Sequence, residues 1–220
     1  MTSFQDKTGS GNLVPASRHR VEFRISNSRF IATIAPAFSV AEAKEFIREI
    51  NLLYADATHN VPVYQIGFGS TVVAHSSDNG EPSGTAGRPA LAVLMGSGLG
   101  DTALVITRYF GGTKLGTGGL VKAYSGAARA AINEVPKARK ILVHKCQICC
   151  PYKIYEQVSR LLRIHGGIID AEDFTDQVSI QFSIPADLFE KVSGLISELT
   201  NGQIQIHIIA DNQISVLPIS

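Results

Sequence analysis

Twelve of the chain's 20 glycines fall between Asp78 and Gly126. A backbone punctuated this densely cannot run as one long helix or one long strand. The stretch reads DNGEPSGTAGRP, then an apolar segment ending MGSGLG, then DTALVITRYFGGTKLGTGGLVKAYSG. Glycine loses the most entropy on folding, so a chain retains it where φ must be positive or another backbone comes close. Arg88, Arg108, Lys114 and Lys122 lie among these glycines. The combination predicts short elements joined by tight turns, with backbone shaped to approach a ligand, a nucleic acid or a protein partner.

The chain is long enough, at 220 residues, for one large domain or two small ones with real cores. Its composition, 45% hydrophobic and 18% charged, is that of an ordinary globular protein. No apolar run approaches the roughly 20 residues that span a bilayer. The N-terminal stretch MTSFQDKTGSGNLVPASRHR has no apolar core of a secretory signal and reads as a loosely ordered lead-in. We therefore expect a cytoplasmic protein without a membrane partner. The formal net charge is +1, so any contact with nucleic acid must come from a local basic patch. Cys146, Cys149 and Cys150 form an odd, clustered set that suits a reducing compartment. They lie in RKILVHKCQICC, which reads as a strand, so Cys146 and Cys149 point to opposite faces and the C-x-x-C spacing does not make a chelate. No metal and no cofactor is expected.

Periodicity divides the chain into two α+β halves. In the first, VEFRISNSRFIATIAPA reads as a hairpin around residues 26–28. Ser39-x-x-Glu42 is a capping box that opens an amphipathic helix, and Pro62 suggests that this helix stops near His59-Asn60. VPVYQIGF and STVVAHSS read as strands, residues 89–95 as a helix, LVITRYF as a central strand, and residues 118–133 as a third helix. The polar segment 133–140 reads as an interdomain linker. Beyond it the order is strand 140–150, helix 151–165, strands 168–171 and 177–184, helix 186–200 and strand 203–209. This βαββαβ order is the ferredoxin-like split, and it carries no polar constellation, so a structural or interaction module is expected there.

Three constellations offer chemistry. GGTKLGTGG follows a strand and opens a helix, so free N–H groups and the helix dipole favour an anion near Gly111, Gly112, Gly116, Gly118 and Gly119, with Lys114 as a point charge. It is neither a Walker A sequence nor G-x-G-x-x-G, and tight turns with close packing also account for its glycines. Asp78 and Glu81 in the acidic loop suit acid–base work, a cation, or helix capping. His59 and His75 lead toward the same loops, but no H-E-x-x-H and no G-x-S-x-G occurs, so no catalytic residue is assigned.

DNGEPSGTAGRPALAVLMGSGLGD together with TRYFGGTKLGTGGLVKAYSGAA closely resembles the signature of the Impact/YigZ family, and SRFIA and ATHN match its other landmarks. The resemblance runs from about residue 18 to the C-terminus. It implies an N-terminal domain, 18–135, like domain IV of elongation factor G, a ribosomal-protein-like βαβ fold. It also implies a ferredoxin-like C-terminal domain, 139–214, like that factor's last domain. Eukaryotic relatives are linked to translational control, but their extra N-terminal partner-binding domain is not expected here, so that role is not simply transferred. The matching positions include His59, Asn60, Asp78, Glu81, Arg88 and Arg108; Asn79 stands where an acidic residue is frequent. The resemblance implies a non-enzymatic protein that contacts RNA, the ribosome or translation factors through Arg88, Arg108, Lys114 and Lys122. The alternatives are an enzyme acting on a phosphorylated or carboxylated small molecule through His59, Asp78 and Glu81, and a protein-interaction scaffold with an exposed apolar patch.

Overall fold

A computed structural model describes residues 12–218 of the chain, which divide into two compact units, 12–139 and 140–216. The first eleven residues of the expected lead-in lie outside the described residues. The rest of that lead-in is not loose: Asn12–Pro15 is a strand, β1, and Val14 is fully buried. Its Leu13 carbonyl accepts from Gly100 N–H at 2.9 Å, and the next residue, Ala16, donates its N–H to Pro136 O at 2.7 Å.

In the first unit β2 (His19–Ile25) and β3 (Ser28–Pro36) form the expected hairpin. Its two loop residues, Ser26 and Asn27, both have positive φ, 46° and 68°, as a two-residue type I′ turn requires. With β4 (His59–Ile66), β5 (Val73–Ser76) and β6 (Thr102–Tyr109) they make an antiparallel sheet of order β2-β3-β6-β4-β5. The LVITRYF run is therefore the central strand, as its unbroken apolar character predicts.

Helices cover both faces of this sheet. Along β3 the side chains alternate: Phe30, Ala32 and Ile34 join one core cluster, Ile31 and Ala35 another. The first cluster is closed by α2 (Gly87–Met95) and α3 (Gly116–Glu134). Ala123, Ala127 and Ala131 of α3 are fully buried there and keep the helix close to the strands. The second cluster is closed by α1 (Val40–Leu53) through Ala43, Phe46 and Ile50. The capping box forms: Glu42 N–H donates to Ser39 Oγ at 3.1 Å, and Glu42 Oε2 accepts from Phe38 N–H at 2.9 Å.

Helix α1 is shorter than expected, and His59 does not sit at its end. The apolar spacing is complete at Tyr54, whose carbonyl takes Ala57 N–H at 3.1 Å and Asn60 Nδ2–H at 3.0 Å. These two donors turn the chain, and His59 opens β4 instead. Pro62 then lies inside a strand rather than beyond a helix. Its carbonyl accepts from Ser77 N–H at 3.2 Å, so the donor it lacks faces the β5 edge, where pairing starts only at Val63.

The second unit has β7 (Lys137–Cys150), α4 (Tyr152–Ile164), β8 (Ile168–Phe174), β9 (Val178–Pro185), α5 (Phe189–Leu199) and β10 (His207–Pro218). Strand β9 pairs antiparallel with both β7 and β8, and β10 pairs with β7, which is the ferredoxin-like arrangement. The segment 133–140 is not a free linker, because α3 runs to Glu134 and β7 begins at Lys137. The last strand starts four residues later than its β-rich pattern suggests, after the turn that closes α5. Cys146 and Cys150 are buried on one face of β7 and Cys149 is exposed on the other; burial pushes the Cys146 thiol up to about 11. Among the described residues no helix is long and apolar enough to cross a membrane.

The cap at Ser39 supplies a direct test of this reading. Ser39→Ala should cost about 1 kcal/mol in urea denaturation, whereas Ser39→Asp should retain most of the stability.

Candidate functional site

Four of the signature side chains converge beneath the glycine-rich loops. Arg108, near the end of β6, is 5% exposed, and Glu81, in the loop before α2, is 8% exposed. Arg108 Nη1 donates to Glu81 Oε1 at 2.6 Å. Tyr124, fully buried on α3, donates its hydroxyl to the same oxygen at 2.7 Å, and burial together with that carboxylate pushes its phenol well above the usual range. His59 Nε2 stands 3.9 Å from Glu81 Oε1. A carbonyl only accepts, so the 2.9 Å contact of His59 Nδ1 with Asn79 O places the proton on Nδ1 and turns Nε2 toward the carboxylate.

A second ring of bonds fixes these groups. Arg108 Nη2 donates to Ser28 Oγ at 3.2 Å, and that oxygen also receives Gly111 N–H at 3.3 Å. The guanidinium lies 5.6 Å from the Phe30 ring and 5.5 Å from the Phe110 ring, within cation–π range. Its buried Nε has no hydrogen-bond partner among the described residues. Asn60 accepts from Thr107 Oγ1 at 2.7 Å, and its carbonyl receives Asn79 Nδ2 at 2.5 Å. Asn79 itself has φ 45°, a region that asparagine tolerates better than most residues.

Asp78 plays a different part. Its Oδ1 accepts from Ala86 N–H at 3.0 Å and Gly87 N–H at 2.8 Å, and its Oδ2 from Gly84 N–H at 2.7 Å. It thereby fills the N-terminus of α2 with a negative charge belonging to the chain. Burial alone would raise this carboxyl, but the three donors, with Arg88 nearby, hold it below the usual carboxylate value. Gly87 is needed for the approach: a Cβ there would lie 2.8 Å from the Ser77 carbonyl. Gly111 is tighter still, since its Cβ would sit 2.1 Å from the Asn27 carbonyl in the β2–β3 turn.

The remaining candidates lie outside this cluster. Arg88, Lys114 and Lys122 are exposed, as are Gly112, Gly116 and Gly118, and nothing lies within 4 Å of a Cβ built on those three glycines. Helix α3 begins after Leu115 with no side-chain cap and no acidic residue in its first turn. Gly119 and Lys122 follow one turn further on. Arg108, grouped with these cations in the sequence, is instead buried and neutralised by Glu81. His75 is apart, in β5, stacked on Tyr64 at 5.2 Å. Sequence reasoning missed Tyr124 and Ser28 as partners of the charged pair. A tyrosine on the small-residue face of α3 was the available signal, because a buried hydroxyl needs a partner.

The chain is similar to known proteins along most of its length. The Impact N-terminal domain is matched over residues 26–132, and a domain of unknown function, DUF1949, over residues 148–203. IMPACT family member YigZ of Escherichia coli is 34% identical over 203 residues, covering 88% of this chain and 96% of that protein. The chain belongs to the Impact family. IMPACT family member YvyE of Bacillus subtilis is likewise 34% identical, with 83% of each chain covered. A solved structure of a hypothetical protein, 34% identical, covers 90% of this chain with a TM-score of 0.58.

Two outcomes follow. Glu81→Gln should destabilise the protein by about 3–5 kcal/mol in urea denaturation, because it strands a buried guanidinium; the double variant Glu81→Gln, Arg108→Met should cost less than the sum of the two single changes. The second concerns pH. A carboxyl lowered in the native state adds stability above its unfolded value, and that stability is lost as pH falls through the native value. Asp78→Asn should therefore lower stability at neutral pH and flatten its loss below about pH 4, followed by urea midpoints across the acid range.

Proposed function

We propose that this Impact-family protein is a non-enzymatic binding protein that holds RNA of the translation machinery by its phosphates, at the open N-terminus of α3. One observation carries the reading. Of the two helix N-termini in the glycine-rich region, that of α2 is filled by Asp78 and that of α3 is left without cap or carboxylate. An uncapped N-terminus offers free N–H groups and a positive dipole end to an anion. Exposed Lys114 precedes it, exposed Lys122 lies in the second turn of the same helix, and glycines 112, 116 and 118 leave the backbone uncovered. Phe110, 46% exposed and close to the Arg108 guanidinium, adds a flat apolar surface of the kind on which bases stack. The three carboxylates of the region, Asp78, Glu81 and Asp101, all accept hydrogen bonds from within the chain, which offsets their repulsion of a polyanion. The choice of RNA over other phosphates rests on the expected likeness of both halves to domains of a ribosome-binding elongation factor.

Binding of total transfer RNA and of purified ribosomes, measured by fluorescence anisotropy and sedimentation at several salt concentrations, tests the proposal. Affinity should fall steeply with salt. Lys114→Glu and Lys122→Glu should each weaken binding and lower the log–log salt slope by about 0.7–0.9 for each phosphate no longer neutralised. Binding that is absent at low salt, or that survives both charge reversals, overturns it.

A further inference from the structure

The ferredoxin-like unit contains a cavity of about 500 Å³ beside the end of β7, the first turn of α4 and the turn that follows α5. That volume falls in the range of small-molecule sites. Ile154, Leu199 and Ile204 supply the apolar part of its lining, and all three also pack against the core of this unit. The polar part is one-signed. Lys153 and His207 line the cavity together with three glutamines, and no Asp or Glu is among the lining residues. Lys153 is exposed and makes no ion pair among the described residues.

The carbonyls of Ile196 and Ser197, near the end of α5, are already engaged within the chain. Helix α5 closes on itself: Gly202 N–H donates to Ser197 O at 2.8 Å, and Thr200 N–H to Ile196 O at 3.1 Å. The Thr200 hydroxyl donates to Ile196 O and receives Ile204 N–H. What the cavity presents to an occupant is therefore an ammonium, an imidazole and amides around an apolar base.

We propose that this cavity binds a small organic anion, a carboxylate or phosphate monoester carried on an apolar body. The charged head pairs with Lys153 and His207, and the body rests on Ile154, Leu199 and Ile204. This site is separate from the α3 surface, and the proposal does not depend on RNA binding there.

Cys149 provides the readout. It lines the cavity and is exposed, whereas Cys146 and Cys150 are buried, so iodoacetamide reports on Cys149. The full chain is alkylated at one pH with millimolar phenyl phosphate, benzoate or phenol, and labelling at Cys149 is followed by mass spectrometry. Saturation by an anion should slow the reaction by roughly an order of magnitude, as expected when the ligand-free fraction falls that far. Phenol should not slow it. Phenyl phosphate or benzoate, whichever protects, identifies the head group. Lys153→Glu, at an exposed position, should abolish the protected-to-unprotected ratio measured within that variant. Absence of protection by both anions, equal protection by phenol, or a ratio that survives Lys153→Glu overturns the proposal.

Discussion

The ion pair of Arg108 with Glu81 is the constraint on which the N-terminal unit's functional region depends. Two charges taken out of water cost several kcal/mol each, and mutual attraction offsets this only when further partners satisfy the remaining groups. Here one carboxylate oxygen takes both the guanidinium and the Tyr124 hydroxyl, with His59 beside it. The partners come from β6, the loop before α2, α3, β3 and β4. A pair of this kind contributes less to net stability than to arrangement, because five chain segments must reach their places before either charge is compensated.

That arrangement propagates outward through Ser28. Its hydroxyl accepts from Arg108 and from Gly111 N–H, so the chain leaving β6 is drawn down onto the β2–β3 turn. Only glycine fits at position 111, where a side chain would occupy the Asn27 carbonyl. Five residues later α3 begins. The position of its N-terminus is thus set by buried electrostatics and a steric limit, while the glycines at 112, 116 and 118 meet nothing and leave backbone uncovered. The glycines of one motif serve two purposes, and their surroundings distinguish them.

Much of the architecture was legible because it rests on periodicity and local chemistry. The Ser39 cap, the central strand at LVITRYF, the hairpin around Asn27 and the βαββαβ order all arise from patterns within a few residues of one another. The misreadings have a common cause in partners that no periodic pattern announces. The Tyr54 carbonyl is taken by Asn60, which ends α1 before any proline is reached. Asn12–Pro15 becomes a strand through bonds to residues about ninety and more positions away, at Gly100 and Pro136, and no local pattern announces them. Arg108 illustrates the same limit at the site. In sequence it is one cation among four, and only the fold shows that Glu81, 27 residues earlier, removes it from the surface.

The contrast between the two helix starts also explains why so glycine-rich a region needs acidic residues at all. Of the two helix starts, α2 has its N–H groups filled from within the chain and α3 does not, so the anion binding proposed above has a single seat. Asp78 does the filling at α2 by accepting three bonds from within the chain, and Glu81 does the equivalent for Arg108. Once both are satisfied, the positive features left open are Lys114, Lys122, Arg88 and the first turn of α3. A formal net charge of +1 is then no obstacle to recognising an anion. Screening at physiological salt leaves only charges within about 8 Å to matter, and the local balance at this helix end is set by which carboxylates are already spoken for.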